Sequence, residues 1–268
     1  MRRPGELVLL GHPVAHSLSP RFQNAALRAA GIPLTYRALD VRPEELPATL
    51  HGLRSRHGAG NVTIPHKQAV ARLCDRLTPL AARCGAVNCF WHEDDLLVGD
   101  NTDVAAADQT ARALLRDRLP GARVALVGAG GAAAAMLAAV EGWGDARVRL
   151  YNRHMPRALE LARRFAAIAT VVPSLEAALT GADLVVNATP LGLGRDDPLP
   201  VPLALLPAHA AVFDLVYHPT ETRWVRAARD AGHWAADGRG MLVEQGALAF
   251  ARWFGVEPDR NAMWTAMG

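Results

Sequence analysis

The chain has 268 residues, half of them hydrophobic and 21% charged, with 29 Lys+Arg against 26 Asp+Glu for a formal net charge of +3. That length accommodates one large domain or two modest ones, and the composition is globular rather than disordered. No Lys/Arg stripe, secretory leader or apolar run of the roughly 18–20 residues that cross a bilayer is present, so nucleic acid and membrane are set aside as partners and a cytoplasmic location is expected. In chain order, Leu7–Leu10 reads as a buried strand ending at Gly11, and the segment Arg21–Ala30 as a helix stopped by Gly31. Thr35–Leu39 is a second strand, Glu44–Arg56 a second helix, and Gly60–Ile64 a third strand broken by Pro65. This βαβαβ order predicts a first α/β unit with a largely parallel sheet.

A second unit begins near residue 104. Ala105–Arg118 reads as a connecting helix, and Arg123–Val127, Arg147–Tyr151 and Ala169–Val172 as strands separated by the helices Ala132–Val140 and Arg157–Ala167. Leu184–Asn187 and Val212–Val216 are further buried strands, with a Pro- and Gly-rich loop at Leu191–Pro202 between them. A long helical pattern, Met241–Phe254, follows Gly238-Arg239-Gly240. The predicted fold class is α/β, with two α/β domains and a cleft between them. Residues 1–103 form the first domain and 104–237 a Rossmann-like doubly wound parallel sheet, while 238–268 are helices returning to the first domain.

Two local patterns carry chemistry. The strand Val124–Val127 runs into Gly128-Ala129-Gly130-Gly131-Ala132-Ala133, a G-x-G-x-x-A sequence opening a helix, as dinucleotide phosphates require. A flexible βα turn in an Ala/Gly-rich chain is the plainer alternative. At the end of the next strand stand Asn152, Arg153 and His154, with Arg157 one turn on and no carboxylate. A guanidinium fork suits a 2′-phosphate, so NADP is preferred over NAD unless the arginines merely open a solvated helix. The second pattern is Asn61-Val62-Thr63-Ile64-Pro65-His66-Lys67, where alternation puts Asn61 and Thr63 on one strand face at its C-terminal edge. Lys67 is the only lysine, so 28 of the 29 basic residues are arginine. A lone lysine suggests proton transfer that a guanidinium cannot perform, or simply one survivor of drift toward arginine. Cys74, Cys84 and Cys89 have neither metal nor disulfide spacing, and no metal is expected.

The chain resembles the shikimate/quinate dehydrogenase family through HSLSP at 16–20, GNVTIPHK at 60–67, GAVN at 85–88 and GDNTD at 99–103. GAGGAAAA at 128–135, NR at 152–153, NATPLG at 187–192, DLVYHPTET at 214–222 and GRGMLVEQGA at 238–247 continue it. The resemblance implies NADP-linked interconversion of 3-dehydroshikimate and shikimate in aromatic amino-acid biosynthesis. It implies Lys67 and Asp103 as the catalytic pair, Ser17 and Ser19 at the substrate carboxylate, and Asn61, Thr63, Asn88 and Gln245 around the ring, with Tyr217 either there or packing. Gly128, Gly130, Gly131, Ala132, Asn152, Arg153 and Arg157 would bind NADP, and Thr189, Gly238 and Met241 would line its nicotinamide end. The chain departs from the pattern at Val104, Cys89, His154 and Pro190. Those departures leave open a quinate or aminoshikimate dehydrogenase, and a non-catalytic nucleotide-sensing relative stands as the reading from a different class. The oligomeric state is expected to be monomer or homodimer.

Overall fold

The computed structural model describes residues 3–194 and 196–268. The chain divides into two compact units: residues 1–102 with 242–268, and residues 103–241. The boundaries thus fall one residue before and four residues after those read from the sequence.

Unit 1 contains β1 (Glu6–Gly11), α1 (Ser19–Ala29), β2 (Tyr36–Asp40), α2 (Leu46–Arg54) and β3 (Gly58–Val62). They are followed by α3 (Lys67–Leu73), β4 (Arg76–Leu77), α4 (Pro79–Cys84), β5 (Cys89–Glu93) and β6 (Leu96–Asp100). The six strands form one sheet in the order β2-β1-β3-β5-β6-β4. β1 pairs parallel with both β2 and β3, as the βαβαβ pattern requires. The sheet is mixed, however, because β3–β5 and β5–β6 are antiparallel. That hairpin turns at Asp94 with φ +53°, a left-handed position that an aspartate tolerates and that carries no glycine to announce it. Val8, Leu10 and Val62 pack with Leu46, Leu50 and Leu53 of α2 and with Val70, Phe90 and Leu97 to form the core. β1, buried on both faces, is accordingly an almost continuous apolar run, whereas edge strand β2 is largely exposed and carries Arg37 and Asp40.

Unit 2 contains α5 (Asp103–Leu115), β7 (Arg123–Val127), α6 (Gly131–Glu141), β8 (Arg147–Tyr151), α7 (Met155–Arg164) and β9 (Ala169–Val171). It continues with α8 (Leu175–Leu179), β10 (Leu184–Asn187), β11 (Ala211–Asp214), α9 (Arg223–Asp230) and β12 (Ala235–Ala236). The sheet order is β12-β11-β10-β7-β8-β9 and every pairing is parallel. Counted within the unit this is 6-5-4-1-2-3, the doubly wound dinucleotide-fold order, which reverses between β7 and β10. Ligands in such sheets bind past the strand C-termini at that reversal. α10 (Gly238–Phe254) carries the chain from this unit back into unit 1, where α11 (Arg260–Thr265) ends it. Among the described residues no helix is long and apolar enough to cross a membrane.

Several sequence-derived bounds shift. β3 starts two residues earlier than expected and stops at Val62, so Thr63 lies beyond the strand rather than on a strand face with Asn61. One ladder bond persists past that end, from Thr63 N–H to Leu10 O at 2.8 Å. β11 stops at Asp214, so Leu215 and Val216 belong to the following loop. α10 starts at Gly238 instead of Met241.

Candidate functional site

In unit 1 the loops after β1 and β3 leave the sheet where its order reverses around β1. Ser17 Oγ accepts the Ser19 amide at 3.2 Å, which leaves the Ser17 hydroxyl proton to donate outward. Ser19 is buried and opens α1, whose N-cap residue Leu18 supplies no side-chain cap. Two hydroxyls at a helix start suit a carboxylate, since the hydroxyl protons can donate to it and the helix dipole favours negative charge there. Lys67 is half-buried and is the first residue of α3; its carbonyl accepts Val87 N–H at 2.9 Å, which ties the start of that helix to the chain just before Asn88.

Asn61 ends up with its amide oriented by two partners. Tyr36 Oη donates to Asn61 Oδ1 at 2.9 Å, and Asn61 Nδ2 donates to the Asn88 carbonyl at 3.1 Å. Asn88, in turn, binds Thr102 and Gln245. Its Oδ1 accepts Thr102 N–H at 2.7 Å, while Nδ2 donates to Thr102 Oγ1 at 2.9 Å and to Gln245 Oε1 at 3.1 Å. Thr102 Oγ1 donates to the Gln245 carbonyl at 2.9 Å, and Gln245 Nε2 spends one proton on Leu242 O at 2.7 Å. These groups are buried, so each bond stands between a polar atom and an uncompensated desolvation cost of about 1–3 kcal/mol. Asn88 therefore serves as the hub that aims Thr102 and Gln245. Asp103, the next residue, is buried and opens α5 in unit 2.

Asp100, 2% exposed, secures this loop. It pairs with Arg252 at 2.9 Å and accepts Thr78 Oγ1 at 2.5 Å and Asn101 N–H at 2.8 Å. A buried carboxylate is retained because every bond it needs is present.

In unit 2, Gly128 follows β7 with φ +116°, and a Cβ there would lie 2.6 Å from the Ala188 carbonyl oxygen. Only glycine lets the β7 and β10 loops approach this closely. Gly130 is the N-cap of α6 with no side-chain cap, and a Cβ placed on it meets nothing within 4 Å. Gly131 and Ala132 follow as the first two residues of the helix, half-exposed, so the turn presents backbone amides beside open space. That is a cradle into which a pyrophosphate fits. At the end of β8, Asn152 Nδ2 donates to His154 O at 2.8 Å, which holds the loop carrying exposed Arg153, His154 and Arg157. No carboxylate occupies positions 152–157, so the donor set suits a phosphate better than ribose hydroxyls.

Thr189 is placed by Asn187: its N–H and Oγ1 both donate to Asn187 Oδ1, at 3.0 and 2.7 Å. Asn187 Nδ2 donates to Leu191 O at 3.0 Å and to Asp214 Oδ1 at 2.8 Å. Burial pushes the Asp214 carboxyl above the usual carboxylate range, with Asp237 adding to the shift against hydrogen bonds from Asn187, Thr222 and Val216. Tyr217 is half-buried in the loop after β11, and Met241 is buried in α10. Gly238, at the start of α10, donates its N–H to Val216 O at 2.9 Å.

The structure thus groups Ser17 with Ser19, joins Asn61, Asn88 and Gln245 in one network, and seats Lys67 and Thr63 just beyond β3. It likewise assembles the glycine loop, the arginine loop and Thr189 at the C-terminal ends of β7, β8 and β10. Sequence reasoning passed over Thr102, Tyr36, Asn187 and Asp214. Thr102 lies inside the GDNTD motif, and Asp214 opens DLVYHPTET, so the signal was available in both. Among the described residues no group of three or more His, Cys, Asp or Glu is arranged to hold a metal ion.

A doubly wound unit with an open glycine cradle, joined in one chain to a mixed α/β unit rich in buried amides, defines a two-unit dinucleotide-fold protein. Family models match in three segments. Residues 9–90 match the shikimate dehydrogenase substrate binding domain, 109–191 the shikimate/quinate 5-dehydrogenase model, and 238–267 the shikimate 5′-dehydrogenase C-terminal domain. A shikimate dehydrogenase (NADP(+)) from Rubrobacter xylanophilus is 46% identical over 97% of this chain and 94% of its own. The shikimate dehydrogenase structure from Aquifex aeolicus superposes with a TM-score of 0.90 at 33% identity, covering 97% of both chains. The Thermus thermophilus enzyme, solved with NADP(H) and shikimate, gives 0.85 at 39% identity over 98% of both. The chain belongs to the shikimate dehydrogenase family.

Proposed function

We propose that the protein interconverts 3-dehydroshikimate and shikimate with NADP as redox partner, a step of aromatic amino-acid biosynthesis. The observation that carries this reading is the donor set of unit 1. Two serine hydroxyls at a helix start, oriented amides on Asn61 and Gln245, the Thr63 hydroxyl and one amine match a ring that bears a carboxylate and several hydroxyls. Ser17 and Ser19 would take the carboxylate, and Asn61, Thr63 and Gln245 the ring hydroxyls. Asn88 would keep Gln245 in register, and Tyr217 is a further substrate contact.

Unit 2 would hold the cofactor by the Gly128, Gly130, Gly131 and Ala132 backbone, with Asn152, Arg153 and Arg157 at the adenosine 2′-phosphate. Thr189, Gly238 and Met241 are assigned to the nicotinamide end. NADP supplies the site at which a hydride is accepted or returned. Lys67 and Asp103 form the proposed proton relay. When the alcohol is oxidised its oxygen must lose a proton, which the Lys67 amine takes at Nζ and later returns in the reverse direction. Asp103 would hold the ammonium and the reacting hydroxyl in line. A positioned amine performs this task, whereas a guanidinium stays protonated throughout.

Three free cysteines suit a reducing, cytoplasmic setting, and monomer or homodimer is the proposed state. The test is turnover of purified protein with shikimate or quinate, each with NADP+ or NAD+, followed by nicotinamide absorbance. Shikimate with NADP+ should be the fastest pair. Activity confined to quinate with NAD+ would overturn both the substrate and the cofactor assignment.

A further inference from the structure

Asp214 is fully buried and has no part in the proton relay. The sheet register places it directly beside Asn187, at the C-terminal ends of neighbouring strands β11 and β10. Asp214 Oδ1 accepts Asn187 Nδ2 at 2.8 Å and Val216 N–H at 3.1 Å, while Oδ2 accepts Thr222 Oγ1 at 2.8 Å. An asparagine amide has two nearly isosteric orientations, and an acceptor-only carboxylate permits just one of them. With Nδ2 facing Asp214, Oδ1 must face Thr189, and Thr189 Oγ1 then accepts Leu191 N–H at 3.1 Å. The loop after β10 is therefore set by a chain of bonds that begins at the carboxylate. The loop after β11 is set by the same group, through Val216 N–H, and Val216 O holds the first residue of α10.

We propose that Asp214 is a positioning residue for the nicotinamide end of the cofactor, acting through Asn187 on Thr189 and through Val216 on Gly238. The inference rests on the NADP reading above and deepens it. The adenosine end is served by other loops, those after β7 and β8, to which Asp214 makes no hydrogen bond among the described residues. Loss of Asp214 should thus discriminate between the two ends of one ligand, which a general loss of stability would not do.

The experiment compares 2′,5′-ADP, which carries only the adenosine end, with NADP+ by calorimetric titration of wild type, Asp214→Ala and Asp214→Asn. Alanine removes the acceptor. Asparagine keeps an oxygen toward Asn187 and Val216, because the Thr222 hydroxyl can reverse its donor sense. Asp214→Ala should weaken NADP+ by about tenfold or more while 2′,5′-ADP stays within about twofold, and Asp214→Asn should recover most of the loss. If Asp214→Ala does not fold, Asn187→Ala is read in the same way, with the same selective loss expected. Equal weakening of both ligands, or of neither, overturns the positioning role. Failure of wild type to bind either ligand overturns the NADP reading instead.

Discussion

Two glycines of one loop should fail in opposite ways when each is replaced by alanine. At Gly128, φ +116° is a backbone region that L-residues avoid, costing about 1–3 kcal/mol. The added methyl would also lie 2.6 Å from the Ala188 carbonyl oxygen and 2.7 Å from its carbon, both backbone atoms that cannot swing aside. Forcing the β7 and β10 loops apart adds a further 1–3 kcal/mol or so, giving about 2–6 kcal/mol in all. At Gly130, φ −98° and ψ −169° are extended backbone that any residue adopts, and the methyl meets no atom within 4 Å. The weaker N-cap preference of alanine is offset by the lower entropy of its unfolded chain, so stability should change by no more than roughly 0.5 kcal/mol. That same methyl, however, occupies the open space beside the α6 amides. Thermal unfolding followed by circular dichroism should show Gly128→Ala melting lower by on the order of 10 °C. Gly130→Ala should melt with the wild type yet bind NADP+ about tenfold or more weakly in calorimetric titration. Equal melting of the two variants, or unchanged NADP+ affinity in Gly130→Ala, would refute the division of labour.

Lys67→Arg should bind shikimate and NADP+ within a few-fold of wild type and lose about 100- to 10,000-fold in kcat, measured by steady-state kinetics and equilibrium titration. His92 is buried with Nδ1 2.8 Å from Gly58 O, and burial holds its pKa below the ordinary value. The unfolded chain therefore takes up a proton first: stability is present above about pH 6.5 and falls as pH drops through the lower folded value. Denaturation midpoints between about pH 7 and 5 should flatten in His92→Gln, and an unchanged slope would reject His92 as the source. Burial and the neighbouring Asp75 push the Cys74 thiol up to about 12. Its reaction with Ellman's reagent at about pH 8 should be slow until denaturant is added, and rapid labelling of the native chain would contradict that environment.

The parts of the fold legible in the sequence are those set by local chemistry. Strands Arg123–Val127, Arg147–Tyr151 and Leu184–Asn187 match the structure residue for residue, because the first and third are short apolar runs and the second alternates exposed arginine with buried Val148 and Leu150, each cut off by turn-forming or polar neighbours. The stretch from α3 to β6 was not read. Its hairpin strand Cys89–Glu93 mixes His92 and Glu93 among aromatics and turns on two aspartates, so neither alternation nor glycine marks it. α9 was missed for a related reason: five of its eight residues, Arg223–Asp230, are charged or tryptophan, and its buried face is only Trp224, Val225 and Ala228. In the site, the glycine and arginine loops were visible as motifs. The Asn187–Asp214 bond was not, since those residues stand 27 positions apart and meet only because β10 and β11 pair in one particular register.

That difference follows from where each unit keeps its chemistry. In unit 1 the sheet order reverses around β1, and the chain leaves Gly11 and Val62 toward Ser17 and Lys67. In unit 2 it reverses between β7 and β10, and the chain leaves Val127 and Asn187 toward Gly128 and Thr189. Crossover helices on either side of a reversal diverge, so past one last ladder bond, such as Thr63 N–H to Leu10 O, the residues of the loops there are open to ligand chemistry. Such residues cluster within a few positions of a strand end and can be read locally. The groups that aim them are a different matter. Asp100 reaches Arg252 across 152 positions, and Asn88 reaches Gln245 across 157. Those partners are selected by packing of α10 on the first sheet, and a buried amide or carboxylate announces itself only once the surface that buries it is known.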